Sequence, residues 1–454
     1  MGSELTHHSP PPLNASAQSL PKAAYSDVFE HQFHRAFQSL DQSVDAETIQ
    51  FLAQVVIECM TGCHRSFHTP EHILQVAEGG DAIEILAALF HDVVYIQVDA
   101  CIPQAVSGVL APFVTAEDSP KIKSLDQLYT DSDFALVATI FEIEREEEVP
   151  PQQNEFFSAI VAVKLLSPFL DRTHLAEIVA CIEATIPFRV CSKEGVPPSD
   201  RLYHNLLRAK ERFDLQFSPE QVIAAVKRAV RLANRDVKNF ADVKASYFLD
   251  NTWKLLPETN PPLRHPESYT PHQYRCALQK MVGFMDFLAP NLVFRQFQGE
   301  PSPEEYEGML DRAAKNIDVA RLYLKAKLVA LAFVEALNQP EQSETPLVNL
   351  VGHWQYLPKE KRSADTSASS RQEEIQTEVM ELLEVGRNQE IAFDIRHSPL
   401  ASHLARTYGF MAVSDWFDAS QALFAQELSP QGFLALHNQD VINLCLDYLA
   451  GRPK

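Results

Sequence analysis

The chain predicts an all-α fold, and three features predict it. Only 14 of its 454 residues are glycine. Segments rich in Ala, Leu, Glu and Gln recur with apolar residues at helical spacing, and strand-like alternation is scarce. Hydrophobic residues make up 46% of the chain, enough for a sizeable core, and the length suits two or three domains.

Residues 1–22 are rich in Pro, Ser and His and are expected to be disordered; His7 and His8 in such a tail carry no site. A helix is expected over 25–42, with Val28, Phe33, Phe37 and Leu40 on one face. A second is expected over 46–61, with Ile49, Leu52, Val56 and Met60 inward. Thr69-Pro70-Glu71 reads as a helix start, with Thr69 as cap and Pro70 in the first helical position. His68 then lies just outside that helix and His72 in its first turn. Gly79-Gly80 ends it, and Asp81 caps the next helix, which carries His91 and Asp92.

Residues 99–133 are mixed and acidic and read as an insertion holding one short helix. Helices resume over 134–147, ending in the acidic run EIEREEE, a solvated face, and continue over 152–169 and 173–186. Ser218-Pro219-Glu220-Gln221 fits a capping box. The helix it opens carries Val222, Val226, Ala229, Ala233 and Phe240 on one stripe, and Asp236 falls on that stripe as well. The turn-rich PETNPPLRHPES follows, then two or three more helices to about 338. The expected domain therefore spans 23–338, with a helical extension from about 260. A linker is expected at 339–372 and a separate helical unit at 373–454.

A net charge of −22 and a pI near 5.1 disfavour a nucleic-acid partner, since the Lys/Arg runs that would override such a field are missing. The seven cysteines are scattered without a CxxC pair, as in a reducing cytoplasm. Nothing approaches the ~18 apolar residues of a membrane span, and the N-terminus lacks the apolar core of a signal peptide. A cytoplasmic protein without a membrane partner is expected.

His68 and His72 lie one helical turn apart, and His91-Asp92 sit in the apolar run IEILAALFHDVVY. A buried carboxylate beside a buried imidazole is unfavourable unless something pairs with both. A divalent cation would, and imidazoles with carboxylates suit Mn, Fe, Ni, Co or Mg. On an octahedral ion four such ligands leave two positions open, one for an acidified water and one for a substrate oxygen. A free imidazole alongside can protonate a leaving oxygen near neutral pH. Plainer roles compete: His68 and His72 as core imidazoles at a capped helix start, Asp92 as a structural acid bonded to Arg65, and Asp236 as a partner of Arg235.

The segments Arg65-Ser66-Phe67-His68 with His72, Phe90-His91-Asp92-Val93-Val94-Tyr95, and Asn154-Glu155-Phe156-Phe157-Ser158-Ala159 resemble the HD superfamily of metal-dependent phosphohydrolases. The closest pattern is the branch reading R-x-Y-H-x-x-x-H, F-H-D-x-x-Y and N-E-x-x-S-A. In the relatives the third segment follows the second closely; here residues 96–153 intervene, consistent with an insertion. The resemblance covers about 25–250 and implies an HD-type helical bundle that binds one divalent metal ion. It implies His72, His91 and Asp92 as ligands and a later Asp as the fourth. Asp236 is the best match, with Asp242 and Asp250 competing. By likeness to cyclic-nucleotide phosphodiesterases, His68 would be the proton donor, acting with Asp92 in catalysis. Arg65 and Arg235 are the expected phosphate contacts. Val93 stands where two-metal relatives carry Glu, and the Glu-Asp pair of alarmone hydrolases is missing, so a single metal is expected.

The expected activity is hydrolysis of a phosphate ester of a small molecule, with a nucleotide as the leading candidate. The alternatives are a slow or inactive nucleotide-binding regulator acting through its C-terminal helices, and a helical scaffold with a vestigial site. Residues 260–454 carry no chemical motif, and a dimerisation surface there, hence a homo-oligomer, is compatible with either function.

Overall fold

The computed structural model describes residues 22–115, 122–123, 128–143, 154–337 and 370–450. All regular elements among the described residues are helical, and the strand-type pairings among them are isolated bridges. The all-α expectation is met. The N-terminal tail, the acidic run after Ile143 and nearly all of the expected linker lie outside the described residues.

The first half contains α1 (Lys22–Ser39), α2 (Ala46–Met60), α3 (Pro70–Ala77), α4 (Ala82–Phe90), α5 (Ile96–Asp99), α6 (Gln104–Leu110), α7 (Ser132–Ile140), α8 (Asn154–Leu166), α9 (Arg172–Ala184), α10 (Pro198–Phe213) and α11 (Pro219–Asp236). Helix α9 is central and packs on α4, α8, α10 and α11. Helix α4 is buried on every side from Ile83 to Phe90, as its unbroken apolar run requires. In α1 the buried stripe is Tyr25, Phe29, Phe33, Ala36 and Phe37, while Val28 is exposed. The aromatic residues at i, i+4, i+8 and i+12 set the inward face, and Val28 is rotated off it. Within 99–133, α6 packs on α2 and α8, so this stretch adds to the core.

A second half follows: α12 (Ala245–Thr259), α13 (Pro271–Phe287), α14 (Pro290–Val293), α15 (Pro303–Leu337), α16 (Arg371–Glu384), α17 (Pro399–Phe424), α18 (Pro430–Ala435) and α19 (Gln439–Leu449). The first core runs from Tyr25 to Ala233 with Phe297 added, and the second from Phe240 to Tyr448. The cores therefore divide near residue 237, whereas the sequence placed a division at 339–372. The 35-residue α15 explains the difference. Its stretch from Tyr323 to Val334 is buried almost all round, so it needs cover on opposite sides. Helix α13 supplies one side and α16 and α17 the other.

At the centre of this second core, Asp394 accepts from Trp253 Nε1 at 2.7 Å and pairs with Arg387 at 3.0 Å and Lys327 at 3.1 Å. The halves meet through Asn234, whose amide bonds the Arg295 backbone in both directions at 2.9 Å. They also meet where α12 abuts the segment before α3.

Candidate metal centre

Three chain segments deliver the site. Pro70 opens α3 in its first turn and places His72 there; Thr69 holds the extended cap conformation without a side-chain cap bond. Asp81 and Glu84 form a reciprocal capping box at the start of α4. That helix ends at Phe90, so His91 is its C-cap and Asp92 lies in the turn beyond, whereas both were expected within the helix. Asp236 is the last residue of α11. Arg228, Arg231 and Arg235 from α11 pair with Asp81 and Glu84, binding the end of one helix to the start of the other.

The four side chains converge. His72 Nε2 lies 3.0 Å from Asp236 Oδ1 and 3.5 Å from Asp92 Oδ2; His91 Nε2 lies 2.9 Å from Asp92 Oδ2 and 3.6 Å from Asp236 Oδ1. Adjacent donors around an octahedral ion with bonds of about 2.1 Å stand about 3 Å apart, so these separations suit a shared divalent ion. Donor atoms of His72, His91 and Asp236 all lie within 4.8 Å of one another; Asp92 joins through its approach to both imidazoles. Asp242 and Asp250 do not compete: neither belongs to this group, and Asp250 accepts from Gln389 N and Asn388 in the second half.

The imidazole atoms point to the same conclusion. His91 Nδ1 lies 2.8 Å from the Ala88 carbonyl, which can only accept, so Nδ1 carries a proton and Nε2 is the free donor atom. Both Nε2 atoms are buried, and despite nearby carboxylates neither makes a hydrogen bond of acceptable geometry. Two buried, unpartnered imidazole nitrogens close to the same two carboxylates fit a shared cation. Burial alone would lower both imidazole pKa values. Asp236 and Asp92 outweigh it and raise His72, and raise His91 well above the ordinary range. The histidines in turn overcome burial in the acids: His91, His68 and His72 hold Asp92 well below the carboxylate range, and His72 and His91 hold Asp236 at about 2.

The third motif supports the loop after Asp92. Ser158 Oγ accepts from Val94 N at 3.1 Å and Asn154 Oδ1 from Ile96 N at 3.1 Å. Ser158→Ala should leave the buried Val94 N–H without an acceptor and destabilise the fold by about 1–3 kcal/mol, measurable by urea denaturation. Glu155 has a buried carboxylate oxygen without a partner. Burial, with Asp92 adding to it, pushes its pKa up to about 7.

The expected phosphate contacts are engaged with the protein, Arg65 in full and Arg235 in part. The buried Arg65 binds Asp99 through Nε and Nη2 (2.7 Å), and its Nη1 donates to the Asp92 carbonyl at 2.7 Å. It thus holds the Asp92 backbone and leaves the carboxylate free. Arg235 donates to the Val76 carbonyl and pairs with Glu84, fixing the end of α3 against α4. Arg65 is thus fully engaged, whereas Arg235 keeps Nη2 buried without a hydrogen-bond partner.

Sequence reasoning missed Glu258. Its fully buried carboxylate accepts from Ser66 N and Phe67 N at 2.7 Å and from His68 N at 3.1 Å, and it meets His68 Nδ1 at 2.7 Å. His68 and these N–H groups overcome burial and keep its pKa low. A charged residue inside the helix ending LLPET, next to Pro257, was the available signal, but its partner lies 190 residues away.

Comparison with protein-family models, with curated proteins and with solved structures found no match.

Proposed function

We propose that the chain is an HD-type metal-dependent phosphohydrolase that cleaves a phosphate ester of a small molecule, with a nucleotide as the leading candidate. The observation that carries this is the convergence of His72, His91, Asp92 and Asp236 from separate segments, with both buried Nε2 atoms unbonded. A divalent ion held there would supply Lewis acidity toward a phosphoryl oxygen and a water of lowered pKa.

The remaining work falls to residues beside the ion. His68 is partly exposed, and its ring stands edge-on to Tyr95 at 4.5 Å. Glu258, held as the anion, accepts the Nδ1 proton and leaves Nε2 to carry a proton to the leaving oxygen. His68→Ala should lower kcat by roughly 10²–10⁴-fold with metal content unchanged; a parallel loss of metal would contradict that role. Glu258 is a positioning residue. Glu258→Gln should lower kcat and shift its pH profile while leaving metal affinity intact.

Because Glu258 belongs to the second half, a regulator that senses a ligand at the site and signals through those helices is the second reading. Phosphate release from a nucleotide panel in the presence of manganese separates the two. Turnover abolished by Asp92→Ala supports the hydrolase, and tight nucleotide binding without turnover supports the regulator.

A further inference from the structure

Helix α15 walls a cavity of about 60 Å³ in the second core, far along the chain from the four metal-centre residues. Lys327, Ala330, Leu331 and Val334 line it at i, i+3, i+4 and i+7, one face of the helix. That face passes from a charged end to an apolar end over about 10 Å. The loop before α17 and the first turn of that helix also line the cavity. At roughly 10–15 Å³ for each water-sized group, the space takes about four to six non-hydrogen atoms.

The polar end is built from buried side chains. Lys327 is 6% exposed, and its Nζ donates to Asp394 at 3.1 Å and to Ser398 Oγ at 3.2 Å. The same Nζ stands 5.6 Å from the centre of the Tyr274 ring, which places that ring at the charged end. Tyr274 is 3% exposed and lines the cavity; its hydroxyl is near Asp394 but makes no hydrogen bond of acceptable geometry. Burial first, then Asp394, raises its pKa well above the ordinary range, so it remains a proton donor. Ser398 accepts from Lys327 and keeps its own hydroxyl proton to donate.

The electrostatics favour an anion at this end. Ser398 is the N-cap of α17 but forms no side-chain cap bond, and Leu400 and Ala401 of the first turn line the cavity. The first N–H groups of α17 therefore lack that acceptor, and a helix N-terminus attracts negative charge. Asp394 is the one acid among the lining residues, and its oxygens already serve Trp253, Arg387 and Lys327. Asp250, which also reaches Arg387, accepts from Gln389 N and Asn388. On the cavity wall, His397 is held below its ordinary pKa by burial, then by Lys327 and Arg396, with Asp394 opposing them.

We propose that this cavity binds a short aliphatic monocarboxylate. The carboxylate would meet the hydroxyls of Tyr274 and Ser398 and the start of α17 beside Lys327, and the alkyl chain would lie along Ala330, Leu331 and Val334. The apolar end disfavours a phosphate or a dicarboxylate, which would bury charge there without a partner. The site lies wholly in the second half and stands whether or not the chain is a hydrolase.

The test is calorimetric titration of butyrate into full-length protein treated with chelator, which keeps a metal ion from competing for the carboxylate. Saturable binding is expected, with 1-butanol at least tenfold weaker. Tyr274→Phe keeps the ring and removes only the unpartnered hydroxyl, so it should weaken butyrate at least tenfold. Ala330→Leu should fill the cavity and abolish binding. Thermal denaturation checks that each variant is folded; if Ala330→Leu is not, Tyr274→Phe decides alone. No saturable butyrate binding by the wild type, 1-butanol binding as tightly as butyrate, or undiminished affinity in folded Tyr274→Phe overturns the assignment.

Discussion

Asp236→Ala should abolish tight binding of a divalent cation while leaving the chain folded. Asp236 ends α11, and its carboxylate meets His72 Nε2 at 3.0 Å and His91 Nε2 at 3.6 Å. Outer partners of metal ligands are worth roughly 10–100-fold in affinity, so removal of a ligand should exceed about 100-fold. The fold should tolerate the change because the imidazoles can become neutral once the acid is gone, and α11 stays tied to α4 through Arg228, Arg231 and Arg235. His91→Ala is a poorer probe, since that side chain is almost fully buried and its loss opens a cavity. Calorimetric titration with manganese, paired with thermal denaturation, checks both halves of the expectation. Wild-type affinity in Asp236→Ala would remove Asp236 from the ligand set.

The second large effect lies in the second core. Asp394→Ala should destabilise the second core by about 3–5 kcal/mol, because it leaves buried cations uncompensated. Arg387 and Lys327 are both nearly inaccessible and both pair with this carboxylate, and Trp253 Nε1 loses its acceptor. Lys327 and Arg387 overcome the effect of burial and hold the Asp394 pKa below its ordinary value. A group lowered on folding contributes stability above its unfolded pKa of about 3.9, and that contribution fades as pH falls through the lower folded value. The wild type should therefore lose stability on acidification below about pH 4 more steeply than the variant. Denaturant titration at neutral and acid pH measures both effects. A midpoint unchanged at neutral pH would contradict the role given to the cluster.

Much of the centre was legible in the sequence because its signals are local. Pro70 and Asp81 announce helix starts, the apolar run around His91 announces burial, and a carboxylate on the stripe of α11 announces a partner. What escaped depends on distance along the chain. Arg65 looked free for phosphate, since nothing near it in sequence foretells Asp99, 34 residues on. Arg235 likewise meets Glu84 across 151 residues, and Glu258 meets His68 across 190. The join of α15 with α16 and α17 was hidden for another reason. A polar linker separates segments in sequence, and only the burial of α15 on opposite sides shows that they share a core.

The most direct test of the shared-cation geometry is an anomalous difference map from crystals of the full-length protein soaked in manganese. One peak per chain is expected, bounded by Nε2 of His72 and His91 and by carboxylate oxygens of Asp92 and Asp236. A map without a peak there, from crystals in which the four side chains are ordered, would contradict it.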